Sequence, residues 1–427
     1  MTFHVRPPVG AGTVRSTGER SEGGAGMTQW SDYTTGERIK ILRGPDVTQE
    51  QLAEATGLSV ATIRKAERDL GVSLQTLLRI SDALHADVSV ILGQQAPRRA
   101  MHGSDRAMVR VLSRAVHDTA AGVGTDVRPP TTAELAAALR TAWETYRAGD
   151  FLRAGVLVAP ALREAAAAQR NTPSGQECAA AGVLADAYRL AAYVANQFGA
   201  RDLAYAAIGH AQAQAERGGD AMRAAMVASG RSWIYLRDSR LDQAAETARL
   251  SYEAIEPRYG DRDPVLLATY GWHVTFAAVV AARAGSVEAA DDLLSQAHAV
   301  AARMGRDVTV NGTAFGPTTV TAQAIGITVS TGRPGKALGL FSSIGDTSTL
   351  TPSARNRLML DVALAQVDTR QSDTALDTLL EVCSAAPGWA RHQALPGVIA
   401  QRAGEGSATT AKLRKLSTIL GTSTILR

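Results

Sequence analysis

Apolar residues recur at three- and four-residue spacings through most of this chain, and no run of alternating apolar and polar residues is sustained. The pattern predicts helices and no parallel sheet. Between Thr34 and Gly93 the helical stretches are short and closely spaced; from Thr131 onward they are long and alanine-rich. Breaks carrying Gly, Asp or Pro fall at RAGDF (147–151), FGARDL (198–203), LRDSRL (236–241), RAGSVE (283–288), STGRPG (330–335) and TRQSD (369–373), about 40–50 residues apart. After each comes an apolar residue and then small ones, as in LDQAAETA and VEAADDLL. Small residues let two helix backbones approach, so each unit reads as a helical hairpin. Neither helix buries its apolar face alone, so five or six stacked hairpins are expected to share a core.

The short helices read in more detail. Thr48 suits an N-cap, and Gln51 stands three residues later, as in a capping box. Leu52, Ala53 and Ala55 continue that helix, and Gly57 ends it where a left-handed residue is useful. Ser59 caps the next helix, which carries Ile63, Ala66 and Glu67. Two short helices joined by a tight glycine turn make a helix-turn-helix, with Ala53 small at the crossing and Ile63 turned to the core. A helix from Leu74 to His85 and a short one near Ser89–Leu92 complete a five-helix unit. The expected fold is all-α, this unit being followed by an α-solenoid. The expected divisions are a disordered tail at 1–30 containing a second possible start at Met27, the helix-turn-helix at 34–93, a linker at 94–130 bounded by GQQAPRR and GVGTDVRPP and carrying a short basic amphipathic helix, and the repeats at 131–427.

Composition adds exclusions. The chain has 427 residues, 45% of them hydrophobic and 5% aromatic, and a formal net charge of +4, which permits a nucleic-acid partner without requiring one. The tail lacks the apolar core of a signal peptide, and no run of 18 consecutive apolar residues predicts a membrane span. Cys178 and Cys383 are too far apart in sequence to suggest a disulfide framework or a zinc cluster, and both are expected as buried thiols in a cytoplasmic protein. No G-x-S-x-G or H-E-x-x-H occurs, GRPGKA (332–337) lacks the spacing of a phosphate loop, and the eight histidines lack metal-ligand spacing; His273 is expected to be a satisfied helix residue. No enzyme activity, cofactor or metal is expected.

The stretch TQEQLAEATGLSVATIRKAE resembles the lambda-repressor-like, Cro/CI-type family, also called XRE, with Gln49, Leu52, Ala53, Gly57, Ile63 and Glu67 matching its pattern. The connection LRGPDVTQ is one residue shorter than usual in that family. AFGPTTVTAQAIGITVSTGRPGKAL (314–338) and SARNRLMLDVALAQ (353–366) resemble the TPR-like domain that follows the DNA-binding unit in actinomycete-type XRE regulators. The resemblance implies a DNA-binding regulator acting on double-stranded DNA as a homodimer. It also implies that the second helix of the motif enters the major groove, bringing Ser59, Val60, Ala61, Arg64 and Lys65 to the DNA, that Gln49 contacts phosphate, and that Arg43 pairs with Glu67. Val60 and Ala61 offer only apolar contacts, so polar readout falls to Arg64 and Lys65.

Two further faces are candidates. Arg106, Arg110 and Arg114 form a basic stripe beside an apolar one of Met108, Val111, Leu112 and Val116. Aligning the repeats on Ala206, Ala244, Ala290 and Ala337 and counting back in TPR register puts Tyr188, Met226, Trp233, Trp272, Thr275 and Thr319 on a concave face that would take a peptide, a small molecule or a protein partner. The functional expectation is a sequence-specific regulator with an effector-sensing repeat domain. The alternative is an interaction scaffold with a vestigial helix-turn-helix.

Overall fold

The computed structural model describes residues 30, 33–84, 86, 88–93, 103–123, 130–310, 313–393, 395–404 and 410–420. The expected tail up to 29, with Met27, lies outside them, as do His85 and most of both ends of the expected linker; Trp30, the last residue of that tail, is buried and its indole N–H donates to the Val90 carbonyl at 2.9 Å. Among the described residues the fold is all-α except for one two-stranded hairpin.

The N-terminal unit contains α1 (Thr35–Arg43), α2 (Gln49–Thr56), α3 (Val60–Glu67), α4 (Leu74–Ala83) and α5 (Val88–Ile91). Its caps follow the sequence. Thr48 and Gln51 form a reciprocal capping box, Gly57 takes φ 62° and ψ 24°, and Ser59 accepts the Thr62 N–H at 3.1 Å. Leu52, Ala53, Ile63, Leu77, Ile80 and Ile91 fill the centre. Gly36 permits α1 to cross the end of α3, since a Cβ there would stand 2.5 Å from the Glu67 carbonyl oxygen. Arg38 is buried yet satisfied in part by the carbonyls of Trp30 (3.0 Å) and Ile91 (3.3 Å), which ties both ends of the unit together.

Six hairpins follow: α7 (Thr132–Arg147) with α8 (Phe151–Arg170), α9 (Glu177–Gln197) with α10 (Arg201–Gly218), α11 (Ala221–Arg237) with α12 (Leu241–Glu253), α13 (Pro264–Arg283) with α14 (Val287–Met304), α15 (Pro317–Ser330) with α16 (Pro334–Ser343), and α17 (Pro352–Asp368) with α18 (Ser372–Ala385). Every break read from the sequence separates the two helices of one hairpin. The fourth residue of each second helix is a fully buried alanine: Ala154, Ala204, Ala244, Ala290, Ala337 and Ala375. A methyl group at the crossing lets the backbones close together. Successive first helices pack side by side, and the stack curves until its ends meet. At that seam Ser353 Oγ donates to the Arg147 carbonyl at 2.6 Å, and the His392 ring packs against Phe151 and Phe198 at 5.9 and 4.8 Å between centroids. The short α19 (Pro387–Ala390) brings Trp389 against Gly149. Beyond it, α20 (Leu395–Gly404) and α21 (Thr410–Leu420) cover α17 and α18.

The stretch expected as a linker with a short basic amphipathic helix holds α6 (Gly103–Ala120), which packs on α8 through Met108, Val109, Leu112, Ala115 and Val116; Val111, expected on the same apolar stripe, is exposed because it lies off that face. Three sequence expectations change. Cys178 is exposed in the first turn of α9, whereas Cys383 is fully buried and its thiol is pushed up to about 12. α9 and α13 are long and apolar enough to cross a membrane, but about two thirds of each apolar window is buried inside the fold. Finally, β1 (Val308–Val310) pairs antiparallel with β2 (Thr313–Phe315), too short a ladder to show as alternation. Phe315 sits against Gly271 of α13, where a Cβ would collide with its ring.

His273 on α13 is 2% exposed, its Nδ1 lies 3.3 Å from the Ser251 carbonyl oxygen, and burial lowers its pKa from 6.5 to about 4. The folded chain therefore keeps this ring neutral where the unfolded chain would protonate it. Its contribution to stability is complete above pH 6.5 and is lost as pH falls towards 4, by up to about 3 kcal/mol. Burial lowers His210, His298 and His392 in the same direction. Unfolding temperatures measured across this pH range should fall steeply, and less steeply in His273→Asn. Equal slopes would show that His273 does not set the acid sensitivity.

Candidate nucleic-acid interface and enclosed cavity

α3 divides cleanly between a buried and an open side. Ile63, Ala66 and Glu67 face inward, and Ala61, Arg64, Lys65 and Arg68 are exposed. Val60 is partly buried against the core, so it is shared between the two sides, and Ser59 is exposed at the helix start.

Behind the open face one carboxylate joins three helices. Glu67, 2% exposed, accepts from Arg43 Nε at 2.7 Å and from Gln49 Nε2 at 2.6 Å. Arg43 also donates to the carbonyls of Gly44 (3.2 Å) and Val47, which pins the short α1–α2 connection. The other side of the Gln49 amide accepts from Arg64 Nε at 3.2 Å, and Arg64 Nη2 reaches Glu50 Oε1 at 3.3 Å. The expected Arg43–Glu67 pair is present, and Gln49, expected at a phosphate, is held between Glu67 and Arg64. The N-terminus of α2 favours negative charge: the Glu50 carboxyl lies below its ordinary range, first through its own backbone N–H, then through the Thr48 hydroxyl, with Arg64 assisting. Arg64 is thus docked over the start of α2, while Lys65 projects freely.

The second site is the interior of the ring, a cavity of about 430 Å³, within the range of small-molecule pockets. All six first helices reach it. The residue eleven positions before each buried alanine lines it every time: Trp143, Tyr193, Trp233, Val279, Gly326 and Leu364. Trp143 meets Tyr193 edge-on at 5.4 Å, and Tyr193 meets Trp233 at 5.1 Å, which makes a continuous aromatic wall. The Arg189 guanidinium stands 4.6 Å from the centroid of the Trp143 ring and supports that wall. Arg357 Nε donates to both oxygens of Asp361, at 3.1 and 3.0 Å. Part of the wall comes from the N-terminal unit itself, through Leu74, Leu78 and Ser81 of α4 and Val88 of α5.

Of the residues placed on the concave face from sequence, Trp233, Trp272 and Thr319 line the cavity; Tyr188, Met226 and Thr275 do not. Tyr188 was reached by counting from Ala206, whereas the buried alanine of that hairpin is Ala204. Correcting that slip leads to Asp186, which does not line the cavity either, and Tyr188 packs on His210 of α10 at 5.2 Å. Met226 lies eighteen residues before Ala244, a level that reaches the cavity only in the last three hairpins, at Trp272, Thr319 and Arg357. Thr275 is fully buried and donates to the Gly271 carbonyl of its own helix at 2.7 Å. The sequence reading missed Trp143, Tyr146, Arg147, Tyr193, Arg237, Arg283 and Arg357. Taking the fourth residue of every second helix as the reference would have found Trp143 and Tyr193.

A helix-turn-helix family model matches residues 40–91 of the chain. The matched segment is a helix-turn-helix of the XRE type, a DNA-binding unit. Neither a curated protein nor a solved structure matches the chain.

Glu67→Ala should strand the mostly buried Arg43 and release Gln49, costing the N-terminal unit about 3 kcal/mol. Glu50→Ala removes an exposed pair and a favourable charge at the α2 N-terminus, and should cost no more than about 1 kcal/mol. Native-state hydrogen exchange of the α1–α3 amides reads both; equal protection in the two variants would remove Glu67 from its central place.

Proposed function

We propose that this chain is a sequence-specific transcription regulator that binds DNA as a homodimer and senses an effector in its TPR-like repeat domain. In this reading it acts in the cytoplasm, as a regulator and not as an enzyme. The match over residues 40–91 supports the DNA-binding half, together with the open basic face of α3. The observation that carries the sensing half is the shared wall: α4 and α5 of the DNA-binding unit line the same cavity as all six hairpins. A molecule that fills the cavity touches the unit that reads DNA. Its binding therefore shifts DNA affinity, and DNA must shift its affinity by the same factor. A single helix-turn-helix buries too little surface for high specificity, hence the homodimer on two half-sites about 34 Å apart.

The open face divides the work of recognition. Lys65 projects freely one turn beyond Ala61, so it reads base edges, and Arg64, held over the start of α2, meets phosphate beside the α2 N-terminus. Lys65→Ala should cost about 1–3 kcal/mol on the best site and relax preference at one or two positions. Arg64→Ala should weaken all sequences alike and lower the salt slope by about one counterion. Titrations on specific and scrambled DNA at several salt concentrations separate the two. If neither change alters binding, α3 does not enter the groove, and the scaffold with a vestigial helix-turn-helix takes its place.

A further inference from the structure

The regulator reading, on which this inference rests for its link to DNA, leaves the effector's chemistry unspecified. Four arginines and one aspartate face the cavity. Arg357 is paired with Asp361, and the other three arginines of the lining are Arg147, Arg237 and Arg283. Those three share a place in the repeat: each ends the first helix of its hairpin, seven residues before the buried alanine, so the side-by-side helices bring them to one rim. A cation at a helix C-terminus is favourable in itself, so the position alone would not indicate a ligand.

Two observations go further. Arg147 is half-buried on the cavity wall and makes no side-chain hydrogen bond or ion pair among the described residues; only the field of Glu144, one turn earlier, acts on it. Thr319, 3% exposed, lines the cavity from α15, and its hydroxyl has no hydrogen-bond partner among the described residues. A buried hydroxyl without a partner is a standing cost that a bound polar group would relieve. The rings of Trp143, Tyr193 and Trp233 supply an apolar, aromatic surface beside the rim. The accessible volume of about 430 Å³ suits a compact molecule better than a long chain.

We infer that the cavity binds a compact, largely apolar molecule bearing one anionic group. The anion meets Arg147, Arg237 and Arg283, the apolar body lies against the aromatic wall, and a polar substituent pairs with Thr319. Fluorescence titration of the full chain with anilinonaphthalene sulfonate, and with its uncharged counterpart N-phenylnaphthylamine, tests this. The sulfonate should bind at one site, about tenfold or more tighter than the neutral probe. The combined Arg147→Gln, Arg237→Gln and Arg283→Gln variant should erase that preference, and Trp233→Ala should weaken both probes. Arg147→Gln alone, which should weaken the sulfonate about threefold where Arg147→Lys does not, serves if the combined variant fails to fold. Equal binding of the two probes by the wild-type chain, or a preference that survives the arginine changes, overturns the inference. Sulfonate binding that leaves DNA affinity unchanged upholds the ligand class and removes only the effector role. Failure to bind DNA at all removes the regulator reading and leaves the titration result standing.

Discussion

Where the two helices of each hairpin cross, the space between backbones admits a methyl group, and in all six hairpins an alanine fills it with no exposed surface. That close approach fixes the relative rotation of the two helices. It follows that the residue eleven positions earlier faces inward in every hairpin, whatever its identity. The sequence is then free to vary that inward residue from tryptophan to glycine, and so to shape an interior without altering the scaffold. Gly326 illustrates the freedom: with no side chain there, the Asp361 carboxylate of α17 comes up against α15, where a Cβ would stand 2.7 Å from it.

The DNA-binding unit was legible almost throughout because its signals are local. A threonine three residues before a glutamine, a glycine after a short apolar run and a serine before the next helix each act over a few residues. The six breaks were legible for the same reason. The interior was only partly so. Ala204 and Ala206 are both alanines in an alanine-rich helix, and nothing local says which one meets the neighbouring helix. Trp143 and Arg147 were passed over because the repeats used for counting did not include the first hairpin. Their place on the wall also depends on α7 meeting α17, a contact between residues more than 200 apart that no periodicity encodes. The β1–β2 hairpin escaped because three residues per strand make no pattern.

The two sites are built on different principles. Behind the open face of α3, polar groups are tied to one another in a chain from Arg43 through Glu67 and Gln49 to Arg64, so the orientation of α3 is shared property of three helices. In the cavity, aromatic rings and helix-end arginines stand around open volume. The first arrangement resists change, and the second accommodates it. α4 and α5 belong to both, being part of the unit that fixes α3 and part of the wall around the interior.

The seam at Ser353 and Arg147 has a consequence for the order of events during synthesis. The helix-turn-helix lies wholly within the first hundred residues, and its contacts are local, so it can fold while most of the chain is still being made. The ring cannot close until the last first-helix and the loop carrying His392 have left the ribosome. Loops this long close slowly relative to local helix formation. For that interval, and permanently in any product truncated before α17, the nascent chain presents a finished helix-turn-helix attached to an unclosed interior.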